Sequence, residues 1–415
     1  MAYHAIFIAS FFLLVAFALE RLGRTTGLPA VIMMVGVGLL ARPLADALDF
    51  SVRGLNVVVP ILGAVGLVLI VLEGALDIQL GMDRIRTASS AILTAIAGFV
   101  LCGGIFAAVA APVLELSYYQ AAIIAIPFAV ISSAVAIPSS QFMPASGREF
   151  VVYESSVSDI IGVLVFFAFI NGNGSFAGMA TKLVGGGALS LLLSVVCSIG
   201  LVLILMRIDG HIRFIPLLAG LFGLYSAGKL LHLSPLIMVL FFGLALNNSR
   251  LLTRFKPFKG WLDGDYETTL NGFKGLVREL TFAVRGFFFI LLGYWTDLSD
   301  LATMEAWLAS ALVLAVVYGG RFLLLKLFKH ELSAPLTWIA PRGLITVLLF
   351  LGAKEALPLP DFLGGTVVLV VLVSAALVAV AQRVYKKMDR PEDTLGVAKS
   401  APATPPPAAP SSRSA

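Results

Sequence analysis

Tyr153-Glu154-Ser155-Ser156-Val157-Ser158-Asp159-Ile160-Ile161-Gly162-Val163-Leu164-Val165-Phe166-Phe167 sets two carboxylates and three serine hydroxyls in a run that otherwise reads as a membrane-spanning helix. An acidic side chain at the centre of a spanning helix costs about 2.5–3.5 kcal/mol on insertion scales, so it is kept where it has a partner or a task. Spacing supplies geometry. Glu154 and Ser158 form one column on the helix, and Ser155 and Asp159 form a second column about 100° round from it. Asp159 and Ser155 can converge on one ion while Glu154 and Ser158 face another neighbour. Hard monovalent cations take oxygen ligands. Burial disfavours the charged carboxylate, so a cation and a proton can compete for the same group. The plainer alternative for Asp159 is a structural hydrogen bond or ion pair between helices.

Outward from this segment the chain remains apolar. Its 415 residues are 59% hydrophobic and 13% charged, with a mean hydropathy of +0.98, a composition that excludes a soluble domain of this size. Apolar runs between polar breaks predict about thirteen transmembrane helices, hence an all-α polytopic membrane protein. The first run lacks basic residues ahead of it and a small-residue cleavage site behind it, and is read as retained helix. Cys102 and Cys197 sit mid-span and read as small buried residues. The four histidines, His4, His211, His232 and His330, lie near span ends and read as interface residues.

Basic residues give the orientation. With the amino terminus outside, the cytoplasmic loops hold residues such as Arg21, Arg84, Arg148, Arg254, Lys274, Arg321 and Lys387. They outnumber those opposite (Arg42, Arg53, Lys182, Lys229, Lys354) about four to one. The net charge of +5 is thus a topology signal, with no indication of nucleic-acid binding. Two arginines, Arg285 and Arg342, remain inside predicted spans. Residues 390–415 turn to Pro/Ala/Ser sequence that cannot bury a core, and are expected to be a disordered cytoplasmic tail.

Two spans read as broken. The fifth contains Ser132-Ser133 and stops at Pro138, and the twelfth carries Ala340-Pro341-Arg342-Gly343 in mid-span. Proline removes a backbone hydrogen bond and glycine loosens the helix. Unwound backbone inside a membrane is tolerated only where it is buried in protein or lines a polar cavity. If the chain holds two six-helix repeats joined by span seven, each break falls in the fifth helix of its half. That correspondence points to an inverted-repeat transporter with its site at the crossing. A simple kink is the alternative for either break alone.

At these residues the chain resembles the Na+/H+ exchanger branch of the monovalent cation:proton antiporter superfamily. Glu154-Ser155-Ser156-Val157-Ser158-Asp159 is similar to its Glu-Ser-x-x-Asn-Asp signature. Val71-Leu72-Glu73-Gly74 resembles its Glu-Gly-x-Leu ending, Phe289-Ile290-Leu291-Leu292-Gly293 its span ten, and Pro341-Arg342-Gly343-Leu344 its Arg-Gly crossing helix. The likeness covers roughly residues 5 to 385. It implies a secondary active transporter and not an enzyme, with no cofactor, that exchanges Na+, K+ or Li+ for H+ in a lipid bilayer. It further implies a homodimer, and the short loops and lack of a targeting sequence suit a bacterial inner membrane. Residues 1–389 would form the transmembrane domain, with a moving core from spans at about 88–170 and 302–385 and a dimerisation scaffold from the rest. Gly185-Gly186-Gly187 would permit close helix packing.

By the same resemblance Asp159 is the transport carboxylate holding the monovalent cation, and Ser155 is an ion ligand. Ser158, Ser133 and Ser132 stand at neighbouring ion-site positions. Glu154 would pair with an intramembrane cation, Arg342 as first choice and Arg285 as second. Two departures matter. Ser133 stands where the family's second acidic ligand would be, and Ser158 replaces the Asn before the transport Asp. With one titratable shuttle the expected exchange is electroneutral, one cation for one proton, and the weaker field shifts preference towards K+ or impairs transport. A channel or anion exchanger on the same scaffold, and a sensor without turnover, are the other readings.

Overall fold

The computed structural model describes residues 2–26, 29–47, 55–78, 85–172, 174–181, 184–185, 192–193, 195–197, 200, 214–231, 235–248, 265–296, 298–328 and 332–388. Most of the expected span seven, the Pro/Ala/Ser tail, Gly186, Gly187, His211, His232 and His330 lie outside these residues. The elements are α1 (Ala2–Thr26), α2 (Ala30–Ala47), α3 (Leu55–Asp77), α4 (Ile85–Val113), α5 (Tyr118–Ala129), α6 (Ser133–Ser139), α7 (Ala145–Ile170) and α8 (Phe176–Thr181). They continue as α9 (Phe214–Leu230), α10 (Pro235–Asn247), α11 (Asp265–Trp295), α12 (Leu298–Leu301), α13 (Met304–Leu327), α14 (Ser333–Thr337), α15 (Leu344–Ala356) and α16 (Phe362–Met388). No strand occurs among the described residues. Among them, five helical segments are long and apolar enough to cross a membrane: Arg86–Val113, Tyr118–Ser139, Ala145–Ile170, Met304–Leu327 and Phe362–Lys386.

Packing sorts these helices into two sets. α11 lies against α1, α2 and α3, and α10 joins α3 to α9. In the other set α4 packs on α5, α7 and α13, while α16 packs on α13 and α14. The sets meet where α7 touches α3 and α10, where α16 touches α2, and where α15 touches α11. Within the first set α2 and α11 come into backbone contact. A Cβ at Gly38 would run into the Ile290 carbonyl, and one at Gly293 into the Val35 carbonyl, so both positions need glycine. Lipid gives helices no hydrophobic reason to associate, and small residues that allow close dispersion contact take over that role.

Both expected breaks are present, at 130–132 between α5 and α6 and at 338–343 between α14 and α15. The local causes differ. α5 starts at a capping box, with the Ser117 hydroxyl accepting from Gln120 N–H and the Gln120 side chain accepting from Ser117 N–H. It ends at Val130, whose φ of −79° and ψ of 132° are extended. At the second break Pro341 disfavours helical geometry at Ala340. The breaks then satisfy one another, since the Ser132 N–H donates to the Pro341 carbonyl at 2.9 Å. Here the chains approach so closely that a Cβ on Gly343 would lie 2.5 Å from Ser132 Oγ. Backbone groups that no lipid could solvate are thus paired at the crossing.

Candidate functional site

α7 passes directly beside the crossing because Gly162 leaves room for it; a Cβ there would collide with the side chain of Val130 in the first break. That approach delivers Asp159, only 4% exposed, to the start of α6. The Ser133 N–H donates to Asp159 Oδ2 at 3.0 Å, and the Ser133 hydroxyl also interacts with this carboxylate. Asp159 Oδ1 and Ser132 Oγ are both buried and have no hydrogen-bond partner among the described residues. A buried acceptor left unpaired costs about 1–3 kcal/mol, more when it is charged. A cation or a proton at Oδ1 removes that cost, and Ser132 Oγ adds a neutral oxygen at the same crossing.

The remaining serines divide. Ser158 Oγ accepts from the Ile131 N–H at 2.9 Å and so fixes the first break. Ser155 Oγ donates back to the Val151 carbonyl within α7 at 2.7 Å, which leaves its lone pairs available. Both were expected at the ion site. Their contacts tie Ser158 to the unwound backbone and Ser155 to its own helix.

The expected partners of Glu154 require correction. Neither Arg342 nor Arg285 pairs with it. Arg321 of α13 does, with both guanidinium arms on the carboxylate at 2.5 and 2.7 Å and its Nε on the Leu336 carbonyl at 2.7 Å. The pair is nearly dry, Glu154 being 1% and Arg321 5% exposed. Its charge places Arg321 among the cytoplasmic loop residues in the sequence, yet it lies within α13. The missed signal is local: Phe322-Leu323-Leu324-Leu325 continues the apolar run beyond it, so the span does not end at Arg321.

Arg342 takes a different job. At 1% exposure it donates through Nε to the Phe128 carbonyl at 2.8 Å and through Nη1 to the Ala340 carbonyl at 2.9 Å. Its own N–H donates to Ser374 Oγ at 2.9 Å. A helix leaves its last carbonyls unpaired with negative ends outward. Arg342 caps α5 at Phe128 and the broken backbone after α14 at Ala340, which holds both breaks in register. Arg285 of α11 donates to the Ala134 carbonyl at 3.0 Å and interacts electrostatically with Glu73 of α3. Glu73 belongs to a motif noted in the sequence, but nothing there identified the residue it faces.

Two cavities bracket the crossing. The larger, about 250 Å³, is bordered by Glu20, Val135, Gln141, Arg285 and Gln382 and reaches the first turn of α6. The other, about 140 Å³, lies among Phe288, Trp295, Val347, Phe350 and Lys354 beside α15 and is mainly apolar. No cluster of three or more metal-ligating side chains occurs among the described residues. Asp159 is set among serine hydroxyls and backbone dipoles.

The family model described as "Sodium/hydrogen exchanger, transmembrane" matches residues 6–383. Among solved structures, the sodium proton antiporter MjNhaP1 from Methanocaldococcus jannaschii at pH 8 shares 20% identity at a TM-score of 0.69, over 93% of this chain and 98% of that one. An electron-microscopy structure of the same antiporter gives 0.66 at 20% identity, over 94% and 97%. No curated protein sequence matches the chain.

Proposed function

The chain belongs to the sodium/hydrogen exchanger family, and on that premise we propose that it exchanges a monovalent cation, Na+ or K+, for H+ at Asp159 by alternating access. One observation carries this reading: Asp159 is buried at the helix crossing, with one carboxylate oxygen engaged by Ser133 and the other without a partner among the described residues. Cation and proton then compete for the same oxygen. Loaded with either, the carboxylate is neutral; empty, it is a bare charge whose passage through the apolar barrier is penalised. That difference couples the two fluxes.

Glu154, held by Arg321, is removed from the exchange chemistry, which supports a one-for-one electroneutral cycle. Ser132, Ser133 and Ser155 supply neutral oxygens in place of a second acid. Such a site attracts the ion less strongly and suits weakly hydrated K+ as well as Na+ or Li+. The moving body is the helix set containing α4 to α7 and α13 to α16, built on inverted repeats and working against a scaffold that also forms a homodimer. The membrane is a bacterial inner membrane, with the amino terminus outside. On that orientation the cavity at Glu20 and Gln382 opens to the cytoplasm.

Dye-reported proton flux in liposomes under a preset pH gradient tests the reading, with Na+, Li+, K+ or Cl− added in turn. Collapse of the gradient by one cation, absent in Asp159→Asn, is the expected result. A response to Cl− alone would replace it with anion exchange, and silence towards every ion would leave a sensor.

A further inference from the structure

Pro138 has a consequence inside α6. In an α-helix the carbonyl of each residue accepts from the N–H four residues on. For Ala134 that residue is Pro138, which has no N–H. The Ala134 carbonyl therefore has no donor from the standard helical pattern. Its donor comes from elsewhere: Arg285 Nη1 of α11, at 3.0 Å.

This bond joins the two helix sets. α11 is locked to α2 by the glycine contact at Gly38 and Gly293, while α6 packs on α7 and carries Ser133, the donor to Asp159. Arg285, Ala134 and Pro138 all border the 250 Å³ cavity. Glu73, on α3 in the same set as Arg285, acts electrostatically on the guanidinium from the scaffold side.

We propose that the Arg285 bond to the Ala134 carbonyl, prepared by Pro138, is a conformational latch that holds the transporter with this cavity open and must release before the crossing can face the opposite side. The proposal rests on the alternating-access reading above and adds the residues that set its resting equilibrium. A hydrogen bond from a charged donor that exists in one state and not the other biases the two populations about tenfold. Arg285 is thus a positioning residue, acting through α6 and not as an ion ligand.

Two engineered thiols on α16 read the equilibrium without requiring transport. Ala379→Cys borders the open cavity. Gly364→Cys borders the opposite one, at a position where an added side chain meets nothing within 4 Å. Each is placed singly in the full chain, and its modification rate by a charged thiol reagent is measured against the chain with only its native cysteines. Adding Arg285→Gln should slow Ala379→Cys and speed Gly364→Cys, changing the ratio of the two rates about tenfold. Arg285→Lys should fall between. Pro138→Ala restores an N–H that competes for Ala134 and should move the ratio in the same direction by a smaller factor, with Arg285 untouched.

A ratio unchanged within about twofold in both Arg285→Gln and Pro138→Ala overturns the latch. If Gly364→Cys in the otherwise unaltered chain is never modified at any pH or cation concentration, alternating access itself fails, and the latch with it. If Gly364→Cys is modified there but neither variant moves the ratio, the latch alone fails.

Discussion

Glu154 and Asp159 lie little more than one turn apart on α7 and are buried to nearly the same extent, yet their surroundings are opposite. Glu154 has both oxygens on the Arg321 guanidinium. Among the described residues Asp159 faces no cationic side chain, receives the Ser133 N–H, and keeps Oδ1 unpaired. A buried charge with a full set of partners is fixed; one with an unfilled acceptor remains responsive to whatever small cation reaches it. Glu154 is a carboxylate that holds helices together, whereas Asp159, on the proposed reading, is one that exchanges its occupant, although the two are chemically alike.

The strongest test of that contrast is to neutralise each in turn. Asp159→Asn should abolish cation-dependent proton flux in liposomes while leaving the thermal unfolding temperature close to the parent's, because the amide oxygen can still accept from Ser133. Glu154→Gln should do the reverse in stability. Removing one partner of a buried pair strands the other, at a cost of about 3–5 kcal/mol, visible as lower thermal stability in detergent. The double variant Glu154→Gln/Arg321→Gln should recover part of that loss, since no unpaired charge remains. Were Asp159→Asn the more destabilised of the two, the division of roles would be wrong.

Gly343→Ala tests the frame that keeps Asp159 apart from cationic side chains. The added methyl would meet Ser132 at the crossing, and overpacking there should cost about 1–3 kcal/mol together with reduced flux. The smallest expected effect is that of Ser132→Ala. Its hydroxyl has no partner among the described residues to lose, so stability should be unchanged. Apparent cation affinity measured by flux should fall about fivefold, the equivalent of about 1 kcal/mol. An unaltered affinity would take Ser132 out of the ion site.

The helical class, the membrane setting, both broken helices and the burial of a carboxylate at Asp159 were legible in the sequence, because each leaves a local mark. Long apolar runs have no other stable use, proline and glycine act on their immediate backbone, and a carboxylate in such a run must be accounted for. Pairing was not legible. Arg342 stands beside the second break in sequence and was expected to meet Glu154, yet its guanidinium is taken by the Phe128 and Ala340 carbonyls. Arg321 resembled the end of a span by its charge, and only the packing of α13 against α4, with α14 at its end, brings it to Glu154. Ser133 was expected as a ligand replacing an acid; its backbone N–H also participates, which no side-chain reading could supply.

That charged groups are held inside the membrane, and where the chain must unwind around them, follows from residue order alone. Which charge faces which follows only from how the helices pack. A hydrogen bond is settled by distances of a few tenths of an ångström between helices remote in the chain, and the affinity of a carboxylate for a cation in low dielectric depends on the neighbours that packing assigns to it.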